Sequence, residues 1–137
     1  MQISDICEPP FQLNSMSTPT TVLVIEDEEN LLQNISSILG LYGFTVLQAS
    51  NGTEGIALAN ELPNIIVCDV MMEGLNGFDV IAQLRSNPAT KHIPFIFLTA
   101  WADVNDKEKG LALGAQAYLT KPFVAKDLVK AINEFAK

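Results

Sequence analysis

Four apolar runs in this chain each end in residues that can do chemistry. Val22-Leu23-Val24-Ile25 ends in Glu26 and Asp27, Ile65-Ile66-Val67-Cys68 in Asp69, Phe95-Ile96-Phe97-Leu98 in Thr99, and Ala117-Tyr118-Leu119-Thr120 in Lys121 and Pro122. A carboxylate directly after a core run, such as Asp69, is costly to bury and fits poorly as a solvated surface charge. Three carboxylates at neighbouring strand ends repel one another and together need a cation. Their hard oxygens suit Mg2+, which takes few protein ligands and keeps waters for the rest. Plainer readings stand beside this one. Glu26 and Asp27 would also serve simply to cap a helix and favour its dipole. Lys121 is either a surface lysine or the partner of an acid or a phosphate. Thr99 reads equally as an ordinary strand-end residue, and Tyr118 as a core or edge aromatic. The Lys121–Pro122 junction is a candidate cis peptide, because an X-Pro bond adopts that form at modest cost.

The elements that must position these groups follow from the hydrophobic pattern. Strands are expected at about 21–26, 44–49, 64–69, 93–99 and 116–120. Helices are expected at about 28–41, from Gly52 to Leu62, and at about 77–86, 103–113 and 124–136. In the first helix Leu31, Leu32, Ile35, Ile38 and Leu39 recur at helical spacing, and Gly43 ends it. Asn51-Gly52 reads as a turn, Pro63 stops the second helix, and Pro94 suits only the first residues of the fourth strand. The fourth helix has the weakest pattern, because Gly110 interrupts it. Strands that are nearly continuous apolar runs and alternate with helices indicate a parallel sheet covered on both faces. In such doubly wound α/β sheets the active crevice lies at the carboxyl ends of the strands, where the polar residues above fall.

The chain has 137 residues, enough for one domain with a substantial core. Its net charge of -8 argues against direct nucleic-acid binding. Residues 1–84 hold eleven acids and no Lys or Arg, whereas residues 85–137 hold all eight basic residues against five acids. No stretch approaches the roughly 20 apolar residues of a membrane span, so membrane insertion is not expected. With no basic residue at the N-terminus to mark a secretory signal, a cytoplasmic place is the default. Cys68 reads as a reduced core residue and Cys7 lies in the N-terminal part, so a disulfide is not expected. Residues 1–19, with Pro9, Pro10 and Pro19, read as an extension in which Ile3, Ile6, Phe11 and Leu13 are available to dock. The domain proper is expected over 20–137.

The segments VLVIED at 22–27, CDVMM at 68–72, FLTA at 97–100 and YLTKPF at 118–123 resemble the receiver domain of two-component response regulators, in that family's order and spacing. The resemblance covers about residues 20–137 and implies a flavodoxin-like five-stranded parallel sheet of order 2-1-3-4-5. It implies that Asp69 accepts a phosphoryl group from a phosphohistidine on a sensor histidine kinase or a histidine phosphotransfer protein. Asp27, Asp69 and the backbone carbonyl of Met71 would bind Mg2+ directly, with Glu26 acting mainly through a water. Lys121 would pair with the phosphoryl oxygens, and the Thr99 hydroxyl and Ala100 N–H would meet them on the other side. Thr99 would then move, Tyr118 would turn inward, and the surface of the fourth helix, fifth strand and fifth helix would change for a downstream protein. A phosphorylation-linked dimer is compatible with this scheme. Such a domain is not an enzyme in the ordinary sense, although it assists its own phosphorylation and dephosphorylation.

The sequence departs from the family where Glu73 replaces a frequent Pro and Asn76 a frequent Asp; Glu73 adds a negative charge near the site. Met71 and Trp101, two residues past Asp69 and Thr99, flank the path of an attacking water and are expected to slow loss of the phosphoryl group. A haloacid-dehalogenase-type phosphatase would need an acid where Met71 stands. A flavodoxin would need a phosphate loop where Glu26-Asp27-Glu28-Glu29 would repel the ligand. The remaining alternative is a receiver-like module used unphosphorylated for docking or dimerisation. Kinase docking is expected on the outward residues Asn30, Gln33, Asn34 and Ser37 of the first helix. With the last helix at the end of the chain, either a stand-alone receiver or the receiver part of a longer protein is expected.

Overall fold

The computed structural model describes residues 19–137. Cys7 and the docking expected of Ile3, Ile6, Phe11 and Leu13 lie outside those residues. Five strands alternate with five helices: β1 (Thr21–Ile25), α1 (Glu29–Leu41), β2 (Thr45–Ala49), α2 (Gly52–Leu58, with a 3-10 turn at Ala59–Glu61), β3 (Ile65–Cys68), α3 (Gly77–Arg85), β4 (Phe95–Thr99), α4 (Val104–Ala112), β5 (Ala117–Thr120) and α5 (Ala125–Phe135). All neighbouring strands pair in parallel, in the order β2-β1-β3-β4-β5.

The continuous apolar runs feed two cores. Leu23, Ile25, Ile66, Cys68, Phe95 and Phe97 point to the side covered by Phe78, Ile81 and Leu84 of α3. The alternate residues Val22, Val24, Ile65, Val67, Ile96 and Leu98 point to the side covered by Leu32, Ile35 and Leu39 of α1 and Leu128 and Ile132 of α5. A strand buried on both faces has no polar position to alternate with. That is why these segments read as unbroken runs.

Three local expectations change. Asn51 is not a turn residue but the N-cap of α2, its side chain accepting from the Glu54 N–H at 2.8 Å. The second helix is α-helical only to Leu58, and Leu62 then takes a left-handed backbone (φ 58°) just before Pro63. The fourth strand begins at Phe95 rather than residue 93, after Pro94, which has no N–H to give the ladder. Asn76 closes a capping box with Asp79 that starts α3 directly beneath the end of β3.

Candidate functional site

The strand ladders continue one residue past the strand ends and fix the backbone of the site. Glu26 N–H donates to Ala49 O at 3.0 Å, Asp69 N–H to Ile25 O at 3.1 Å, and Lys121 N–H to Thr99 O at 2.8 Å. Four strands thereby deliver Glu26, Asp69, Thr99 and Lys121 to one edge of the sheet. The Lys121–Pro122 peptide bond is cis.

Lys121 joins the two buried acids. Its Nζ lies 2.9 Å from Glu26 Oε1 and 2.9 Å from Asp69 Oδ2. The remaining oxygens also have donors: Glu28 N–H reaches Glu26 Oε2 at 3.1 Å, and Met71 N–H reaches Asp69 Oδ1 at 3.2 Å. Burial raises the Glu26 pKa from 4.5 to about 7; the Lys121 hydrogen bond opposes the rise and the Asp69 charge adds to it. Burial alone would lower the Lys121 pKa, but its hydrogen bonds to Glu26 and Asp69 prevail and raise it. Burial also pushes the Cys68 thiol well above its usual range, which suits a reduced core residue.

A second chain of contacts runs beside the first. Thr99, fully buried, accepts on its hydroxyl oxygen from Trp101 N–H at 3.2 Å. The carbonyl of the same Trp101 accepts from the Tyr118 hydroxyl at 2.6 Å. The Tyr118 ring is buried and packs 5.7 Å from Phe97, centroid to centroid. The Tyr118 ring stands inward, the orientation that the family resemblance associates with a phosphoryl group. Ala100 follows β4 on the exposed edge, and Met71 and Trp101 are 51% and 41% exposed.

Asp27 is the acid not gathered with the others. It is exposed, and its Oδ2 accepts from the Glu73 N–H at 3.2 Å. Among the described residues no three His, Cys, Asp or Glu side chains form a group placed to hold a metal ion. Instead, an ammonium stands between Glu26 and Asp69.

Two glycines stand where a side chain would collide with another element. A Cβ on Gly77 would collide with the carbonyl oxygen of Asp69 and lie 2.9 Å from both Phe97 Cε1 and Val70 Cα. Gly110, read as an interruption of α4, is its one buried residue, and a Cβ there would come within 3.0 Å of the Phe97 ring and 3.2 Å of Tyr118 Cδ2. Lys109 next to it stands 4.6 Å over the Phe78 ring. Nothing local in the sequence marks these close approaches, because the partners lie on other elements.

Known proteins resemble this chain in sequence and fold. The model of the response regulator receiver domain matches residues 22–133. Protein PilH of Pseudomonas aeruginosa is 38% identical over 113 residues, spanning 82% of this chain and 93% of PilH. The DNA-binding dual master transcriptional regulator RpaA of Synechocystis is 37% identical over 82% of this chain but only 47% of its own length. The chain likewise spans about half the length of several other curated relatives. Among solved structures, the Vibrio cholerae chemotaxis protein CheY4 superposes with a TM-score of 0.81 at 29% identity, over 86% of this chain and 99% of CheY4. A receiver domain protein from Clostridium thermocellum superposes at 0.78 and 36% identity, over 84% and 92% of the two chains. With the receiver family's model matching across nearly all the described residues and a five-stranded parallel sheet of order β2-β1-β3-β4-β5, the chain belongs to the response regulator receiver domains of two-component signalling.

Proposed function

We propose that Asp69 accepts a phosphoryl group from a phosphohistidine of a sensor kinase or histidine phosphotransfer protein, in a Mg2+-dependent reaction. The observation that carries this reading is Lys121 Nζ, held 2.9 Å from both Asp69 and Glu26 at the strand ends. An Asp69 carboxylate oxygen attacks phosphorus, the P–N bond to the donor imidazole breaks, and its electron pair stays on that nitrogen. Phosphoryl transfer asks the protein mainly for positioning and charge stabilisation. Lys121 supplies positive charge beside the incoming oxygens. The Thr99 oxygen accepts from Trp101 N–H, which leaves the hydroxyl proton to donate to a phosphoryl oxygen. The Ala100 N–H is the second donor on that side.

The donor set suits Mg2+ in its chemistry: two buried carboxylates share a single ammonium, Asp27 stands next in sequence, and every oxygen is hard. Asp27, Asp69 and the Met71 carbonyl would hold the ion, with Glu26 acting through a water. Bound there, it would neutralise charge on the acids and on the phosphoryl oxygens.

The phosphoryl group brings roughly 1.5–2 negative charges and strong acceptor oxygens. The readout surface is α4, β5 and α5, where Val104, Leu111 and Val124 are exposed. A downstream protein, or a second copy of the chain, would read it. No helix among the described residues is long and apolar enough to cross a membrane. The test is incubation with phosphoramidate and Mg2+ followed by intact mass. One phosphate adduct is expected, absent in Asp69→Asn. No adduct on the parent chain would favour an unphosphorylated docking module instead.

A further inference from the structure

Asp27 stands apart from Glu26 and Asp69 because something else holds it. Its Oδ2 accepts from the backbone N–H of Glu73 at 3.2 Å, across 46 residues of sequence. The loop carrying Glu73 is itself anchored close to Asp69. Met71 N–H binds Asp69 Oδ1 at 3.2 Å, Gly77 N–H binds Val70 O at 2.9 Å, and Gly74 turns the chain with a positive φ of 77°. The N–H of Glu73 is thus carried on an anchored loop, and Asp27 is its solvent-exposed partner.

We infer that the Glu73 N–H is a latch that competes with the cation for the Asp27 carboxylate. Mg2+ that takes Asp27 through Oδ2 displaces the Glu73 N–H, and the free energy of that hydrogen bond is then subtracted from cation affinity. Glu73 is a positioning residue here and acts through its main chain. Its side-chain charge is a separate effect of opposite sign, since a nearby carboxylate favours a cation. The inference rests on the proposed Mg2+ site and adds how that site is gated.

The two effects separate by substitution. Glu73→Ala removes the charge and keeps the N–H; Glu73→Pro removes both. One solvent-exposed hydrogen bond corresponds to about a fivefold change in binding constant. Isothermal titration of each metal-free protein with MgCl2 at constant ionic strength should therefore give Glu73→Pro about fivefold tighter binding than Glu73→Ala. Equal or weaker binding by Glu73→Pro overturns the latch. If the parent chain binds no Mg2+, the proposed site itself fails, which is a different result. A measurement that needs no proline guards against misfolding: the amide proton of Glu73 should shift upfield in Asp27→Asn, and in the parent on adding Mg2+. An amide unmoved by both changes also refutes the latch.

Discussion

Substitution of Gly77 by Ala tests whether the close packing of α3 against β3 sets the position of Asp69. The added Cβ would meet the Asp69 carbonyl oxygen, Val70 Cα at 2.9 Å and Phe97 Cε1 at 2.9 Å. Two of the three neighbours are backbone, so no rotamer change relieves the collision. Overpacking of this kind costs about 1–3 kcal/mol, and rigid neighbours place Gly77→Ala near the upper end. For a chain of 137 residues the unfolding entropy is roughly 0.29 kcal/mol/K, so about 3 kcal/mol lowers Tm by about 10 °C. Gly40→Ala is the matched control. It lies on the exposed side of α1 with no atom within 4 Å of an added Cβ, and should raise stability by about 0.5–1 kcal/mol. Thermal melts of the three proteins give the energies, and intact mass after timed exposure to phosphoramidate and Mg2+ gives the rate of Asp69 modification. Gly77→Ala should lose both stability and rate, and Gly40→Ala should keep the rate. A Gly77→Ala protein that melts within a degree or two of the parent refutes the packing argument. One that is destabilised but phosphorylated at the parental rate refutes the link to Asp69.

Three further outcomes follow from the same geometry. Lys121→Met leaves Glu26 and Asp69 as buried carboxylates without their common cation, and breaking such a pair costs about 3 kcal/mol at pH 8; urea titrations should show the loss shrinking at pH 6 as Glu26 takes up a proton, and an equal loss at both pH values counts against this. Glu26 has its native pKa raised from 4.5 to about 7, so between those values the native state binds more protons than the unfolded state and stability falls as pH rises; in metal-free buffer Glu26→Gln should flatten that slope, and an unchanged slope assigns it to other groups. Met71→Asn and Trp101→Ala remove apolar cover from residues that are 51% and 41% exposed beside the site; both should shed the acyl phosphate several-fold faster than the parent in a mass-spectrometric decay, and unchanged lifetimes would remove these side chains from the water path.

The sheet was legible because burial on both faces leaves every strand position apolar. Val22–Ile25 and Phe95–Leu98 carry the pattern of two cores at once. The strand-end acids, hydroxyl and lysine were legible because polar residues that terminate such runs have few places to go. What those side chains touch was not. Lys121 is 95 residues from Glu26 and 52 from Asp69, and only the sheet order brings them within one ammonium's reach. Asp27 follows Glu26 directly, yet its partner is a loop amide 46 residues away. Gly110 looked like a weak point in a weak helix, because its value lies in the missing Cβ opposite Phe97 and Tyr118. Local pattern reports what a residue is made to bury; it does not report which neighbour arrives.

The inward Tyr118 constrains how a phosphoryl group could be read. Thr99 and Tyr118 meet on one residue, the first through the Trp101 N–H and the second through the Trp101 carbonyl. On the proposed chemistry, Thr99 gives its free proton to a phosphoryl oxygen without releasing Trp101. On that chemistry the inward ring keeps its hydrogen bond to the Trp101 carbonyl. A ligand shifts such an equilibrium only by its differential affinity for the two states. A hydrogen bond to a charged group contributes about 1.5–3 kcal/mol net, so roughly 10- to 150-fold is the ceiling on this shift, reached only where the outward state lacks that bond entirely. That suffices if the outward state is a substantial minority or a modest majority beforehand. The element free to follow is α4, because Gly110 is its one buried residue and seats directly on the Phe97 and Tyr118 rings. An outward swing of Tyr118 removes part of the surface on which α4 rests. On the proposed function, the aromatic ring would act as a seat whose occupancy sets the position of α4, and the exposed Val104 and Leu111 would carry that position to a partner.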